Sequence, residues 1–161
     1  MRNTTLCYLE REGRLLMLFR NKKEHDENHG KWIGVGGKFE EGETPEECVI
    51  REVYEETGLK MRSPRLRGIV TFVMEPQSTE YMFVYTATDF TGQLINPDSC
   101  PEGVLRWVVR DEVCQLPTWE GDRIFLKLLM EEHPFFSLKL CYDPSGRLTD
   151  AVLDGKPLPL E

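Results

Sequence analysis

The chain has 161 residues, of which 40% are hydrophobic and 10% aromatic, and its formal net charge is −8. This length predicts a single domain over residues 1–161 that can bury a substantial core. The acidic balance argues against a protein that coats nucleic acid or a membrane surface, because both usually require a basic face. A small phosphorylated ligand is still compatible with it, since a metal ion can reverse the local charge.

Apolar and β-branched runs, separated by turn-forming residues, predict about seven strands and two or three helices. In chain order, the predicted strands span residues 4–10, 15–20, 68–74, 81–88, 104–109, 135–142 and 148–153. The predicted helical segments are 45–57, 111–116 and 122–132, while residues 21–31 predict an exposed loop and residues 32–39 contain three glycines. Because most strands are joined by hairpins, the pattern favours an α/β (α+β) fold, with a mixed sheet flanked by helices, over a doubly wound parallel sheet.

Two features bear on the cellular compartment. No apolar run approaches the roughly 18 residues of a transmembrane helix, and the N-terminus lacks the apolar segment of a signal peptide. An odd number of scattered cysteines without a C-x-x-C pair favours a reducing compartment. We therefore expect a cytoplasmic protein. The sequence leaves both a monomer and a homodimer open. The cysteines are Cys7, Cys48, Cys100, Cys114 and Cys141.

The most informative segment contains the first predicted helix. Thr44-Pro45-Glu46-Glu47 is a capping box with proline at the first helical position, and Gly58 is a left-handed stop, so the helix should span residues 45–57. Its predicted apolar face consists of Val49, Ile50, Val53 and Tyr54.

Three carboxylates lie on another face of this helix. Glu52, Glu55 and Glu56 occupy positions i, i+3 and i+4, where they repel one another. Such oxygen clusters bind hard divalent cations, and Mg²⁺ in particular combines a few carboxylates with substrate phosphates. The alternative interpretation is a solvated acidic helix face.

The spacing of the surrounding residues favours the cation. Gly37, five residues, Glu43, seven residues and then Arg51-Glu52-Val53-x-Glu55-Glu56-x-Gly58-Leu59 match the Nudix box over residues 37–59. The sequence thus resembles the Nudix hydrolases, which cleave nucleoside diphosphates linked to another group. The resemblance implies an α/β/α sandwich in which the helix packs against a mixed sheet.

The resemblance also implies roles for residues. Glu52, Glu55 and Glu56 match the carboxylates that bind Mg²⁺ or Mn²⁺, and the carbonyl of Gly36 matches a backbone ligand. The positions with structural roles are Gly37 and Gly58, for backbone geometry, and Glu43 and Arg51, as an ion pair.

Metal-assisted attack of water on phosphorus is the chemistry that these residues would perform. In related enzymes the general base comes from the Nudix helix or from a later glutamate, and Glu102 in Pro101-Glu102-Gly103 is our candidate for that glutamate and for a further metal ligand. Arg20, Lys23 and Lys38 are candidates for binding substrate phosphates. The alternative roles are those of a surface-turn residue for Glu102 and of ordinary loop charges for the basic residues.

Two segments outside the box bear on the substrate. Residues 30–38 resemble the G-x-W-x-x-x-G-G-K approach of MutT-type enzymes, which hydrolyse oxidised purine nucleoside triphosphates, and residues 117–122 resemble the purine-pocket segment of MutX-type members. The resemblance implies that Trp119 stacks on a purine and that Asp122 hydrogen-bonds its edge; the alternatives are a hydrophobic filler and a helix-start residue. Residues 81–83 are candidates for the opposite wall. Mammalian members have asparagine where Ile33 stands and a second aspartate where Gly121 stands, so any discrimination of oxidised guanine must use other groups.

These observations predict a Mg²⁺-dependent Nudix hydrolase that converts a nucleoside triphosphate such as 8-oxo-dGTP to the monophosphate and pyrophosphate, sanitising the nucleotide pool in support of DNA repair. The alternatives are a Nudix hydrolase of sugar nucleotides, dinucleoside polyphosphates or capped RNA ends, and a module that senses nucleotides without cleaving them. Residues 40–56 hold eight acids and one base, a net charge of −7, so the acidity of the chain is concentrated in the predicted metal-binding unit.

Overall fold

Two helices and a mixed sheet form the fold in a computed structural model that describes residues 1–76 and 78–160. The helices are α1 (Pro45–Thr57) and α2 (Asp122–Met130). The strands in the described residues are β1 (Arg2–Arg11), β2 (Arg14–Phe19), β3 (Trp32–Ile33), β4 (Lys60–Met61), β5 (Arg65–Met74), β6 (Ser78–Ala87), β7 (Phe90–Thr91), β8 (Val104–Val109), β9 (Phe136–Tyr142), β10 (Leu148–Leu153) and β11 (Lys156–Pro157). Short 3-10 helices span Pro97–Ser99 and Arg110–Gln115.

The main sheet has the strand order β11-β10-β9-β5-β6-β1-β2-β3, and β8 pairs with the other edge of β2. The β1–β6 and β5–β9 pairs are parallel and the remaining pairs are antiparallel. Strands β4 and β7 form a separate two-stranded sheet. The predicted mixed sheet is therefore confirmed.

The helices cover opposite faces of this sheet. Successive side chains of β1 point to opposite faces: Tyr8 belongs to the core cluster that contains Phe125 of α2, and Leu9 to the cluster that contains Val53 of α1. The predicted α/β/α layering follows from this division. Neither helix in the described part of the chain has the length and apolar character needed to cross a bilayer.

Strand β1 separates from β2 and pairs instead with residues 34–38, which we call the glycine-rich segment. The hairpin turn has positive φ at Glu12 (52°) and Gly13 (74°), and β1 and β2 pair only beside it. Further along β1, the Cys7 N–H donates to the Val35 carbonyl (2.6 Å) and the Thr5 N–H to the Gly37 carbonyl (2.9 Å). This pairing fixes residues 35–37 next to α1.

The loop between β2 and β3, which we call the 21–30 loop, is closed at its base by two backbone hydrogen bonds. The Arg20 N–H donates to the Lys31 carbonyl (3.0 Å), and the Gly30 N–H donates to the Arg20 carbonyl (2.7 Å). The ends of the loop therefore meet at the sheet, and its residues extend over the cleft described below.

The longer predicted elements are observed, with shifted ends. Strand β5 begins at Arg65, β6 spans residues 78–87, and α2 ends at Met130, two residues before the predicted end. The short strands β3, β4, β7 and β11 were not predicted, because a two-residue pairing leaves no periodic pattern in the sequence.

One part of the predicted apolar face of α1 is wrong. Ile50 and Tyr54 are 37% and 49% exposed, while Val49 and Val53 are fully buried. The buried face is rotated because Glu56, which is 7% exposed, points inwards beside the valines. Glu56, which lines the cleft, therefore lies on the buried face of α1, where hydrophobicity alone predicts apolar residues.

Candidate functional site

The ends of α1 are set by the residues that the sequence indicates. The Thr44 hydroxyl accepts from the Glu47 N–H (3.1 Å), while the Glu47 carboxylate accepts from the Thr44 N–H (2.9 Å). At the other end, Gly58 has φ 80° and its N–H donates to the Tyr54 carbonyl (2.8 Å). These caps fix which residues of the helix face the glycine-rich segment.

Arg51 joins the helix to the preceding loop. Its guanidinium donates two hydrogen bonds to Glu43 (2.6 and 2.9 Å) and one to the Lys38 carbonyl (3.0 Å). These hydrogen bonds lower the pKa of Glu43 to about 2. Arg51 also contacts Glu52 (2.9 Å) and Glu55 (3.2 Å). The predicted ion pair is thus part of a larger network that holds the loop and two of the three cluster carboxylates.

The floor of the site is formed by Glu52, Glu56, Gly36 and Gly37. Glu56 accepts a long hydrogen bond from the Gly36 N–H (3.4 Å) at Oε1, and its buried Oε2 has no partner among the described residues. Burial, followed by the charge of Glu52, raises the pKa of Glu56 to about 8. Burial also raises the pKa of Glu52, although Arg51 acts in the opposite direction. A Cβ at Gly37 would lie 2.5 Å from the carboxyl of Glu52, so glycine leaves room for that group.

These groups fit a hard divalent cation. Oxygen donors are what Mg²⁺ and Mn²⁺ prefer, and a buried carboxylate oxygen without a partner is a group that a cation would satisfy. Glu55 stands apart, because its side chain is 55% exposed and contacts Arg51. Within residues 1–76 and 78–160, no three acidic, histidine or cysteine side chains already converge as a ligand set. The fold therefore brings Glu52 and Glu56 together beside the Gly36 N–H, while metal binding by the Gly36 carbonyl stays a prediction.

A cleft of about 650 Å³ extends from this floor. The cleft is lined by residues of β1, β3, β5, β6 and α1, of the 21–30 loop and the glycine-rich segment, and of the start of α2, together with residues at the end of β2 and before β8 and α2. Its lining includes Arg2, Thr4, Arg20, Lys23, Asp26, Asn28, Ile33, Gly36, Gly37, Lys38, Glu52, Glu56, Phe72, Glu80, Met82, Glu102, Trp119 and Asp122.

Glu102 meets two of the candidate phosphate-binding residues, Arg20 and Lys23, in the cleft. The Glu102 carboxylate contacts Arg20 (3.1 Å) and Lys23 (3.0 Å), and Arg20 also pairs with Asp26 (2.7 Å). Lys22 donates to the carbonyls of Cys100 (2.7 Å) and Asp98 and so holds the loop that carries Glu102. Lys38 is exposed at the rim. The arrangement combines basic side chains with carboxylates, next to the floor.

Trp119 also lines the cleft and lies within an aromatic cluster. It is 6% exposed and forms edge contacts with Phe72 (5.2 Å between ring centroids) and Tyr142 (5.0 Å). The Lys31 ammonium lies 4.4 Å from the centre of its indole ring, and the indole N–H donates to the Asn28 amide oxygen (2.7 Å). Little of the ring is free, so stacking of a purine on Trp119 stays a prediction.

Asp122 lies beside Trp119 in the first turn of α2, and its N–H donates to the Trp119 carbonyl (3.0 Å). The side chain is buried, at 4% exposure, and burial raises its pKa to about 8. At neutral pH the group is therefore mainly a carboxylic acid, which can donate as well as accept a hydrogen bond. Of the predicted wall residues in β6, Met82 lines the cleft, whereas Phe83 points to the other face and packs on Phe39 (5.4 Å).

Several cleft residues were not predicted from the sequence. Glu80 accepts from Arg2 (2.7 Å) and Thr4 (2.8 Å), which places a charged network where β6 meets β1. Asp26 and Asn28 enter through the 21–30 loop. No spacing rule links these residues to the Nudix box, because their positions depend on strand pairing and loop closure.

Comparison with known proteins agrees with this geometry. The sequence profile of the NUDIX domain matches residues 1–129. The chain therefore belongs to the Nudix family of hydrolases, and the prediction of a hydrolytic enzyme is confirmed. Nudix enzymes generally use divalent metal cations and act on small nucleotide substrates.

Individual relatives extend over most of the chain. It is 31% identical to the uncharacterized Nudix hydrolase YvcI of Bacillus subtilis over 96% of this chain and 95% of that protein. It is 29% identical to the oxidized purine nucleoside triphosphate hydrolase of Danio rerio, over 81% of each chain. The crystal structure of a mutator MutT protein from Bacillus halodurans superposes with a TM-score of 0.85 and 32% identity, over 98% of this chain and 100% of the other.

Proposed function

We propose that this Nudix hydrolase converts a nucleoside triphosphate to the monophosphate and pyrophosphate in a Mg²⁺-dependent reaction, with Mn²⁺ as an alternative cation and an oxidised purine such as 8-oxo-dGTP as the favoured substrate. The observation that carries the proposal is that one cleft is lined by two kinds of group. Its carboxylates and basic side chains suit a cation and a polyphosphate. Trp119 and the buried carboxyl of Asp122, which line the same cleft, suit a purine. The name of the Danio rerio relative gives the same substrate class.

Glu52, Glu55, Glu56, Glu102 and the Gly36 carbonyl are the groups proposed to hold the cation. When bound, the cation neutralises charge on the polyphosphate and lowers the pKa of a water molecule. The buried Oε2 of Glu56 supports this assignment, because a cation would satisfy an oxygen that has no partner among residues 1–76 and 78–160. Glu55 must turn away from Arg51 to take part.

Arg20, Lys23 and Lys38 are proposed to bind the phosphate oxygens. Arg20 and Lys23 already contact the carboxylate of Glu102, so an incoming polyphosphate competes with that carboxylate for the same cations. Once released, Glu102 is our candidate for the general base that accepts a proton from the attacking water, with a glutamate of α1 as the alternative. Asp122, as a carboxylic acid, is proposed to hydrogen-bond the edge of the base. We infer a role in nucleotide-pool sanitation, since hydrolysis of an oxidised triphosphate removes it from the pool, and the cysteine pattern favours the cytoplasm as the compartment.

The proposal is tested by measuring pyrophosphate release from 8-oxo-dGTP and dGTP with and without Mg²⁺. Glu56→Gln should reduce kcat by about 100-fold or more, because the amide cannot ionise to supply a carboxylate ligand at the proposed metal site. Glu41→Gln, which changes an exposed residue of the same acidic segment, is the matched control and should retain wild-type turnover.

Two results would overturn the proposal. One is near wild-type turnover by Glu56→Gln. The other comes from a panel of a sugar nucleotide, a dinucleoside polyphosphate and a capped RNA. The proposal fails if one of these is hydrolysed, with release of phosphate or a sugar phosphate, at a higher kcat/KM than that for pyrophosphate release from any nucleoside triphosphate. Binding of Mn²⁺, followed by electron paramagnetic resonance, reports on the metal site separately from turnover.

A further inference from the structure

Asn28, in the 21–30 loop, has its side-chain amide oriented by Trp119. An indole N–H can only donate a hydrogen bond, so the amide group that faces it at 2.7 Å must be the oxygen. The two hydrogens of Nδ2 consequently point away from Trp119, and Nδ2 has no hydrogen-bond acceptor among residues 1–76 and 78–160. Asn28 lines the cleft. It therefore presents a free pair of donors there.

The backbone of Asn28 is held in place as well. Its N–H donates to Asp26 Oδ1 (3.1 Å), and its carbonyl accepts from the Lys31 N–H (3.0 Å). The same Asp26 carboxylate is paired with Arg20 at the end of β2. A side chain fixed at both its backbone and its amide oxygen loses little further entropy when it binds a ligand, which is the property of a preorganised recognition group.

Its neighbours identify the part of the ligand that it meets. Trp119 contacts both Asn28 and Asp122. Its indole N–H donates to the Asn28 side chain, and its carbonyl accepts from the Asp122 N–H at the start of α2. Both residues line the cleft, and both are hydrogen-bonded to Trp119. Ile33, which also lines the cleft, has no hydrogen-bonding group with which to read a base.

We propose that Asn28 is a specificity-determining residue: oriented by Trp119, its amide donates to a carbonyl oxygen on the base and so favours 6-oxopurine nucleotides over 6-aminopurine nucleotides. The proposal rests on the proposed function, because it takes the part of the cleft beside Trp119 as the site of the base. Trp119 is in this account a positioning residue. Lys31 covers its ring on one side, and its indole N–H is spent on Asn28.

The decisive variant is Asn28→Asp. It keeps an oxygen to accept from Trp119 and replaces the two donors by an acceptor, which suits an amino group and opposes a carbonyl. The measured quantity is kcat/KM for dITP divided by kcat/KM for dATP, two nucleotides that differ at the N1–C6 edge of the purine. Leaving a buried polar pair mismatched reduces this ratio by about tenfold or more relative to wild type. Asn21→Asp, the same substitution at an exposed position of the loop, should leave the ratio unchanged.

Two further variants keep the test independent of folding and of local charge. Asn28→Ala removes the donors without adding charge and should move the ratio towards one. Trp119→Phe keeps an aromatic ring and removes the indole N–H, so it should also lower the ratio, which a purely structural role of Trp119 would not do. Circular dichroism shows whether each variant is folded.

Calorimetric binding of dIMP and dAMP without a divalent cation separates this inference from the proposed function. A change in the ratio of the two dissociation constants in Asn28→Asp supports the role of Asn28 even if no triphosphate is hydrolysed, an outcome that would overturn only the proposed function. The inference is overturned if folded Asn28→Asp and Asn28→Ala keep both the kinetic and the binding ratio within twofold of wild type.

Discussion

Removing the carboxyl of Asp122 should change how the stability of the protein depends on pH. In the unfolded chain an aspartate ionises near its ordinary pKa of 3.8, whereas burial raises the pKa of Asp122 in the folded protein to about 8. Between these values the folded state binds one more proton than the unfolded state, so the free energy of unfolding falls as the pH rises. The expected loss from this group is about 1.4 kcal/mol per pH unit, or about 2.7 kcal/mol between pH 5 and pH 7.

The assay is urea unfolding of wild type and Asp122→Asn at pH 5, 6 and 7, at constant ionic strength and with a chelator to remove divalent cations. Other titrating groups contribute equally to both proteins and cancel in the difference. Asp122→Asn should therefore gain about 2.7 kcal/mol relative to wild type between pH 5 and pH 7. Asp111→Asn, which removes an exposed carboxyl, controls for the change in net charge and should show no such gain. If the difference in the free energy of unfolding between wild type and Asp122→Asn is the same at all three pH values, burial does not hold the carboxyl of Asp122 protonated.

Three other substitutions probe the frame of the site. Gly36→Ala would place a Cβ 2.0 Å from the Thr5 carbonyl oxygen and should lower the free energy of unfolding by about 2–4 kcal/mol in denaturant titrations. Gly37→Ala meets only the end of the Glu52 side chain, so we expect a shift in stability below about 1 kcal/mol but a loss in kcat of about tenfold or more; unchanged kcat would contradict the cradle described for Glu52. Glu43→Gln should lower Tm at neutral pH because Arg51 loses its charged partner. The pKa of Glu43 is lowered to about 2, so its contribution is complete above about pH 4.5 and is lost as the pH falls; the difference in Tm from wild type should shrink in thermal scans between pH 5 and pH 3.

The parts of the molecule that could be predicted are those determined by local sequence. Thr44 and Gly58 fix the ends of α1 through hydrogen bonds within a few residues, and the observed bounds are those predicted. The family and the mixed sheet follow from the spacing of the box and the hairpin pattern. Whether Gly36, Glu52, Glu55, Glu56 and Glu102 bind a metal stays a prediction. Glu55 and Glu102 contact basic residues in the structure, and so does Glu52.

The parts that could not be predicted depend on contacts between distant segments. Asn28 and Trp119 are 91 residues apart, and nothing in either local sequence indicates that an amide of one meets the indole of the other. The exposure of Ile50 has the same origin, because the rotation of α1 is set by the burial of Glu56 against the glycine-rich segment and not by the hydrophobicity of the helix.

The closed base of the 21–30 loop has a consequence for how such an enzyme can diversify. Since Arg20 bonds to both Gly30 and Lys31, the registers of β2 and β3 do not depend on what lies between them. Lengthening a loop whose ends are already joined carries only a small entropic penalty. Asn28, which we propose as a contact to the base, lies in this loop, so residues around it can be exchanged, inserted or deleted while α1, on a separate stretch of chain, keeps its geometry. Changes in this loop can therefore alter which substrate binds without altering the helix that carries the candidate metal ligands.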